Sequence, residues 1–385
     1  MRLKQNREED RSRKNFRPRF ESLESRRMLS GSPWFNFHGG ASATPAPTAS
    51  VTVAGSTVKV NDSNVGDTIT VTDNGTGGVS VTITNGTTTV ASGSGTGITR
   101  VSIKATGGGD TVDYNYGTPL TVTAAVTSAA KPLLKSSFSG ESISLDLENG
   151  GNTAVLDFSA GVSSNLNLNV EADGGTNKVT ETFGAIANAR LQSSFDGYGA
   201  GGDSFSATVG ALTASKAFFD VHGSGGGDTL SVAGKGDIAA DSLLAAFISG
   251  GGGGGCGWFG SKSTSGGDTI SFTYTGTLLG NLGVATSGSG GNETIAQNIT
   301  LNAGSTGNLY AVEFAGKSTT ANNLTLNVND NSGGPATPPA TTPPASTLAS
   351  LNAYVFSHAG DTVTNTANVK AITLPPSWFN GGFGD

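Results

Sequence analysis

Several things are scarce in this chain, and each scarcity excludes something. One cysteine, Cys256, in 385 residues leaves no intrachain disulfide, which by itself says nothing about compartment. Cys256 lies in the glycine tract 250–257, a setting for a free surface thiol or an intermolecular bond. No window of about 18 apolar residues occurs, so no transmembrane helix is expected. Residues 1–30 also lack the apolar stretch of about 7 to 15 residues that a secretory signal requires. Beyond residue 30 the only arginines are Arg100 and Arg190, and 12 basic residues face 24 acidic ones. A body so poor in arginine is ill equipped to grip phosphates, which disfavours nucleic acid as a partner. The charge reverses at the start of the chain, where residues 1–30 carry ten Lys or Arg against five Asp or Glu.

Catalytic signatures are missing as well. The chain has no G-x-S-x-G elbow, H-E-x-x-H helix or P-loop, and its single cysteine has no histidine beside it in sequence. The histidines His38, His222 and His358 are far apart in sequence. His222 closes an apolar strand and reads as a structural histidine. Asp237 and Asp241 read as solvated surface carboxylates. No enzyme is expected; the one catalytic class left open is a polysaccharide lyase or hydrolase built on a β-helix.

What the chain has in excess is glycine, 59 residues. Each would cost about 1 kcal/mol relative to alanine inside a helix, which excludes a mostly helical protein. There is no Gly-X-Y period either, so collagen is excluded. From Val51 onward β-branched residues alternate with polar ones, as in Val58 and Val60, Ile69 and Val71, and Val79, Val81 and Ile83. Asp73-Asn74-Gly75 and Asn85-Gly86 punctuate them, the signal of short strands joined by hairpin turns. Residues 51–97 are therefore expected to form a hairpin-rich cap.

From about residue 98 a unit recurs: an alternating strand, two or three glycines, an Asp or Asn, and a second alternating strand. Its anchors are Asp110, Asn152, Asn177, Asp203, Asp228, Asp268 and Asn292, with Asp67 and Asp361 as outliers of the same form. Successive anchors lie 42, 25, 26, 25, 40 and 24 residues apart, and the interval of 40 spans the glycine tract. A period near 25 suits a β-solenoid coil with three faces of about five residues. The expected fold is thus all-β: residues 98–332 form a β-solenoid resembling a right-handed parallel β-helix, with a glycine insertion at 249–265. An array of antiparallel β-sandwiches is the alternative, and it suits residues 51–97 better. Residues 1–50 read as a basic tail and linker, 333–347 as a stiff Pro/Thr linker, and 348–385 as a tail or docking strands.

One short segment carries a resemblance. Within residues 17–30, Phe20, Glu21, Leu23, Glu24, Arg26 and Leu29 resemble the N-terminal LEPR-xLL type motif of exported and surface-associated proteins of planctomycete bacteria. Ser25 stands where that pattern has proline, and Met28 where it has the first of two leucines. The resemblance implies an extracytoplasmic, cell-surface or secreted protein and implies no enzymatic activity.

Two further features bear on ligands. The Gly-Gly-x-Asp turns resemble single copies of the calcium-binding nonapeptide repeat, making Asp203, Asp228 and Asp268 candidate calcium ligands. Turn chemistry alone also accounts for them, since Asp and Asn tolerate left-handed backbone and bond their own turn, and no cofactor is expected. Trp34, Trp258 and Trp378 are each followed by Phe in a Gly, Ser or Pro context, as exposed contact aromatics would be. The expected role is a non-catalytic structural or adhesive protein of the cell surface or extracellular matrix. Its partners would be surface or matrix components, a polysaccharide or further copies of itself. A carbohydrate-binding or carbohydrate-processing β-helix is the alternative, and the outer face separates the two. Converging Asp, Glu, Arg and aromatic side chains mark a glycan groove, whereas Thr, Ser and Asn mark a scaffold.

Overall fold

The computed structural model describes residues 48–117, 140–199, 201–251, 267–288, 292–315, 321–334, 345–366 and 368–373. All regular structure among them is β: 26 strands, with two sheets of twelve strands each and a two-stranded sheet between them. The first large sheet runs from Ala49–Ala54 and Thr57–Asp62 through Arg100–Ala105 and Glu141–Leu147 to Ser350–Ser357 and Lys370–Thr373. The second runs from Thr88–Gly95 and Val79–Asn85 through Thr68–Asp73 and Thr111–Tyr116 to Asn323–Asp330 and Thr362–Asn365. The chain lays a strand in the first sheet, turns, lays one in the second, and returns one rung further along. The neighbours made this way are parallel, as in Leu166–Asp173 beside Arg190–Tyr198 and Lys178–Phe183 beside Ser204–Val209. Such a ladder is a β-solenoid, and it excludes the sandwich array, whose neighbours would be antiparallel.

Among the described residues, antiparallel pairing is confined to the N-terminal end. Ala49–Ala54 folds back on Thr57–Asp62, and Val79–Asn85 joins Thr68–Asp73 to Thr88–Gly95. The hairpins therefore cap the first coil. That coil begins at Thr57 rather than near residue 98, because Thr57–Asp62 and Thr68–Asp73 pair in parallel with Arg100–Ala105 and Thr111–Tyr116. At the other end Ser350–Ser357, Thr362–Asn365 and Lys370–Thr373 continue the same two sheets. The expected three equal faces are also replaced: two faces are long, and the third is a bridge one or two residues wide. Val162, Ile186, Leu212, Ile238 and Leu278 pair in succession along that third side.

Alternation decides which side chains enter. Most inward positions are Val, Ile, Leu, Ala, Phe or Tyr, and the rings of Tyr114, Phe158 and Phe183 stack at 5.8 and 5.1 Å from coil to coil. A single coil cannot enclose its own apolar face, so each depends on its neighbours for burial.

Some inward positions are carboxylates. Glu181 is 1% exposed and accepts a hydrogen bond from Ser193 Oγ at 2.7 Å; burial pushes its carboxyl up to about 7. Burial likewise pushes Glu313 up to about 8. In Glu141, burial and the neighbouring Asp73 also raise it. A carboxyl held above its unfolded value binds its proton more tightly when folded. The stability this gives is complete below about pH 4 and disappears as pH rises through the folded value. The melting temperature is therefore expected to fall between about pH 5 and about pH 9, and Glu181→Gln should flatten the fall by on the order of 3 kcal/mol. Thermal melts of both proteins across that range test this; identical pH slopes would contradict it.

Candidate binding face

The anchors converge on one buried corner, where they join coil to coil. The backbone N–H of Asp67 donates to Asp110 Oδ1 at 3.0 Å, that of Asp110 to Asn152 Oδ1 at 2.9 Å, and that of Asn177 to Asp203 Oδ1 at 2.8 Å. The N–H of Asp203 then donates to Asp228 Oδ1 and that of Asp228 to Asp268 Oδ1, each at 2.8 Å. The carbonyls run the other way: Asp67 O, Asp110 O and Asn152 O accept from Thr111, Thr153 and Lys178 one coil on. Asp and Asn serve equally because the rung needs only a side-chain oxygen at that reach. Glycine supplies the rest of the corner. Gly150, at φ 70°, would bring an added Cβ within 2.4 Å of Gly174 O, so both the left-handed backbone and the missing side chain suit glycine there.

Two anchors differ from the sequence pattern. The rung assigned to Asn292 belongs to Glu293, which is fully buried, while Asn292 takes the left-handed turn at φ 63°. Asn322, which follows no glycine pair, is a further rung: its Oδ1 accepts from Glu293 N–H at 3.1 Å and its own N–H donates to Asp361 Oδ1 at 2.9 Å. Asp67 and Asp361 are thereby ladder members rather than outliers. Two of the irregular intervals coincide with segments 118–139 and 252–266, which lie outside the described residues.

The calcium candidates Asp203, Asp228 and Asp268 are thus neighbours on this ladder, each with Oδ1 held by a backbone N–H. Burial pushes Asp203 and Asp228 up to about 6, against the lowering effect of those bonds. Among the described residues no group of three or more His, Cys, Asp or Glu is placed to hold a metal ion. The motif residues Phe20, Glu21, Leu23, Glu24, Arg26 and Leu29, and Trp34, Trp258 and Trp378, lie outside the described residues.

The two outer faces differ in chemistry. On the second sheet one outward row reads Thr180, Ser206, Ser231 and Ser271 and the next reads Thr182, Thr208, Ala233 and Thr273. The first sheet begins in the same way, with Ser142, Asn167 and Gln192 in register, and then changes. Gln192 pairs with Phe218, Phe218 with Ala245, Ala245 with Gly283 and Gly283 with Tyr310. In the row beside it, Asp220 is followed by Phe247 and Ala285. The result is a trough whose floor is Ala245, Gly283 and Ala285 and whose walls are Phe218, Phe247 and Tyr310, the last 53% exposed.

Polar groups rim it. The Arg190 guanidinium lies 5.2 Å from the centre of the Phe218 ring, and His222 Nε2 lies 2.9 Å from Asp220 Oδ1, with its ring 5.4 Å from Phe247. The bond to Asp220 raises the His222 pKa above its usual value. Burial raises that of Asp196, which His222 partly offsets. His222 therefore stands on the outer face with a defined partner. Asp237 accepts a backbone bond from Thr277 at 2.7 Å, and Asp241 is exposed. None of the trough residues was singled out from the sequence for binding, because each joins the others only through the register of separate coils. No family model, curated protein or solved structure matches the chain.

Two outcomes follow for the ladder. Asp110 shares its corner with Asp62 and Asp67, so Asp110→Asn keeps the acceptor, removes a buried charge and should raise the melting temperature at about pH 8. Asp110→Ala orphans the Asp67 N–H and should cost about 1 to 3 kcal/mol. Denaturant titration of the pair checks this, and equal losses would contradict it. Because no group of three or more His, Cys, Asp or Glu among the described residues is placed to hold an ion, calcium and a chelator should leave the same melting midpoint in calorimetry.

Proposed function

We propose that this protein is a non-catalytic scaffold of the cell surface or extracellular matrix. The observation that supports this most is the solenoid body itself, continuous at its buried ladder and bearing mostly Thr, Ser and Asn on the outward rows of its second sheet. Such a body is a spacer: its length follows from the number of coils, its stiffness from hydrogen bonds running along the axis, and its solubility from hydroxyl and amide groups. An extracytoplasmic location rests on the resemblance carried by residues 17–30, and surface or matrix components are the partners that location offers.

A second reading, carbohydrate binding, is favoured by one observation: Arg190, Asp196, Asp220, Phe218, Phe247 and Tyr310 come together on the outside of the first sheet. The two readings are compatible, since a matrix scaffold must hold on to something.

Intact cells labelled with an antibody raised against the folded body are expected to give a surface signal. A signal seen only after permeabilisation would remove the location and with it the scaffold reading.

A further inference from the structure

Resting on the carbohydrate-binding reading, we infer that a neutral polysaccharide lies lengthwise in the trough of the first sheet, parallel to the solenoid axis. The chemistry of the lining points to a sugar chain. Flat apolar ring faces at Phe218, Phe247 and Tyr310 offer surfaces for the C–H faces of pyranose rings, and planar polar groups at Asn167, Gln192 and Arg190 offer donors and acceptors for hydroxyls. The order along the axis is set by register: Arg100, Ser142, Asn167 and Gln192 lead into Phe218, and the aromatic half ends at Tyr310. Successive coils are about 4.8 Å apart, an advance close to that of one sugar unit in an extended chain, so consecutive units can meet consecutive coils.

The charge pattern selects among polymers. The chain's two body arginines, Arg100 and Arg190, belong to this face, and Lys216 pairs beside Arg190. Glu171, Asp196 and Asp220 stand on the opposite flank. Lys104 and His222 share the acid row without removing its negative excess. A polyanion would therefore meet the acids and a polycation the bases, whereas a neutral chain is repelled by neither flank.

The floor supplies the test. A Cβ added at Gly283 meets no atom within 4 Å, and its backbone is not left-handed. Gly283→Trp should therefore fill the trough without disturbing the core, and Thr273→Trp, at an exposed position on the second sheet, serves as the matched control. The full-length protein is titrated calorimetrically with neutral gluco-, manno- and xylo-oligosaccharides of increasing length, and with alginate and chitosan oligomers.

Affinity for a neutral series is expected to rise with chain length, to fall on the order of tenfold or more in Gly283→Trp and in Phe218→Ala, and to stay unchanged in Thr273→Trp. Tighter binding of alginate or chitosan than of any neutral series would overturn neutrality and leave carbohydrate binding standing. Neutral binding that Gly283→Trp does not weaken would overturn the trough as the site. Absence of binding to every saccharide, with circular dichroism showing all variants folded, would overturn this inference and the carbohydrate-binding reading together.

Discussion

Everything in this molecule depends on one hydrogen bond made repeatedly: an Asp or Asn side-chain oxygen at the corner takes the N–H of the equivalent residue in the preceding coil. A parallel solenoid must bend the chain sharply where the two sheets meet, and at a bend the strand ladder lapses, leaving backbone N–H groups buried without partners. Each such group would cost about 1 to 3 kcal/mol. The side-chain oxygens of Asp110, Asn152, Asp203, Asp228 and Asp268 supply the missing acceptors. Register follows, because a coil slipped by one residue would break its corner bond and turn its apolar side chains outward.

That requirement explains how the body tolerates acid in its interior. An oxygen acceptor can be a neutral amide, a protonated carboxyl or a carboxylate, and the sequence uses amides at some rungs and acids at others. Where acids are used, burial raises their pKa, as at Asp203 and Asp228. Glu181 and Glu313 carry the same logic into the core. The corner is thereby strong in geometry and sensitive in charge.

Freed from structural duty, the outer faces can differ. The outward rows of the second sheet are mostly short hydroxyl and amide side chains, whereas the first exchanges them for aromatics beyond Gln192. A parallel sheet aligns such residues into rows along the axis, so a few substitutions at positions of one register make a continuous trough. The buried ladder and the outer trough thus arise from the same repeat, one from its inward and corner positions and the other from its outward ones.

The all-β body, its solenoid character, the anchors from Asp110 to Asp268 and the hairpins near the N-terminus were legible in the sequence, because each depends on local alternation, turn chemistry or a regular interval. The rungs at Glu293 and Asn322 were not, since a glutamate after Asn292 and an asparagine without a glycine pair lack the turn signature and are identified only by the coil-to-coil bonds of their backbone N–H groups. Nor could alternation say that Thr57 already begins the first coil, because a strand reads the same whether its neighbour is parallel or antiparallel. The trough is the extreme case. Phe218, Gly283 and Tyr310 are separated in the chain by whole coils, and only the tertiary pairing, which sets the register between coils, makes them neighbours.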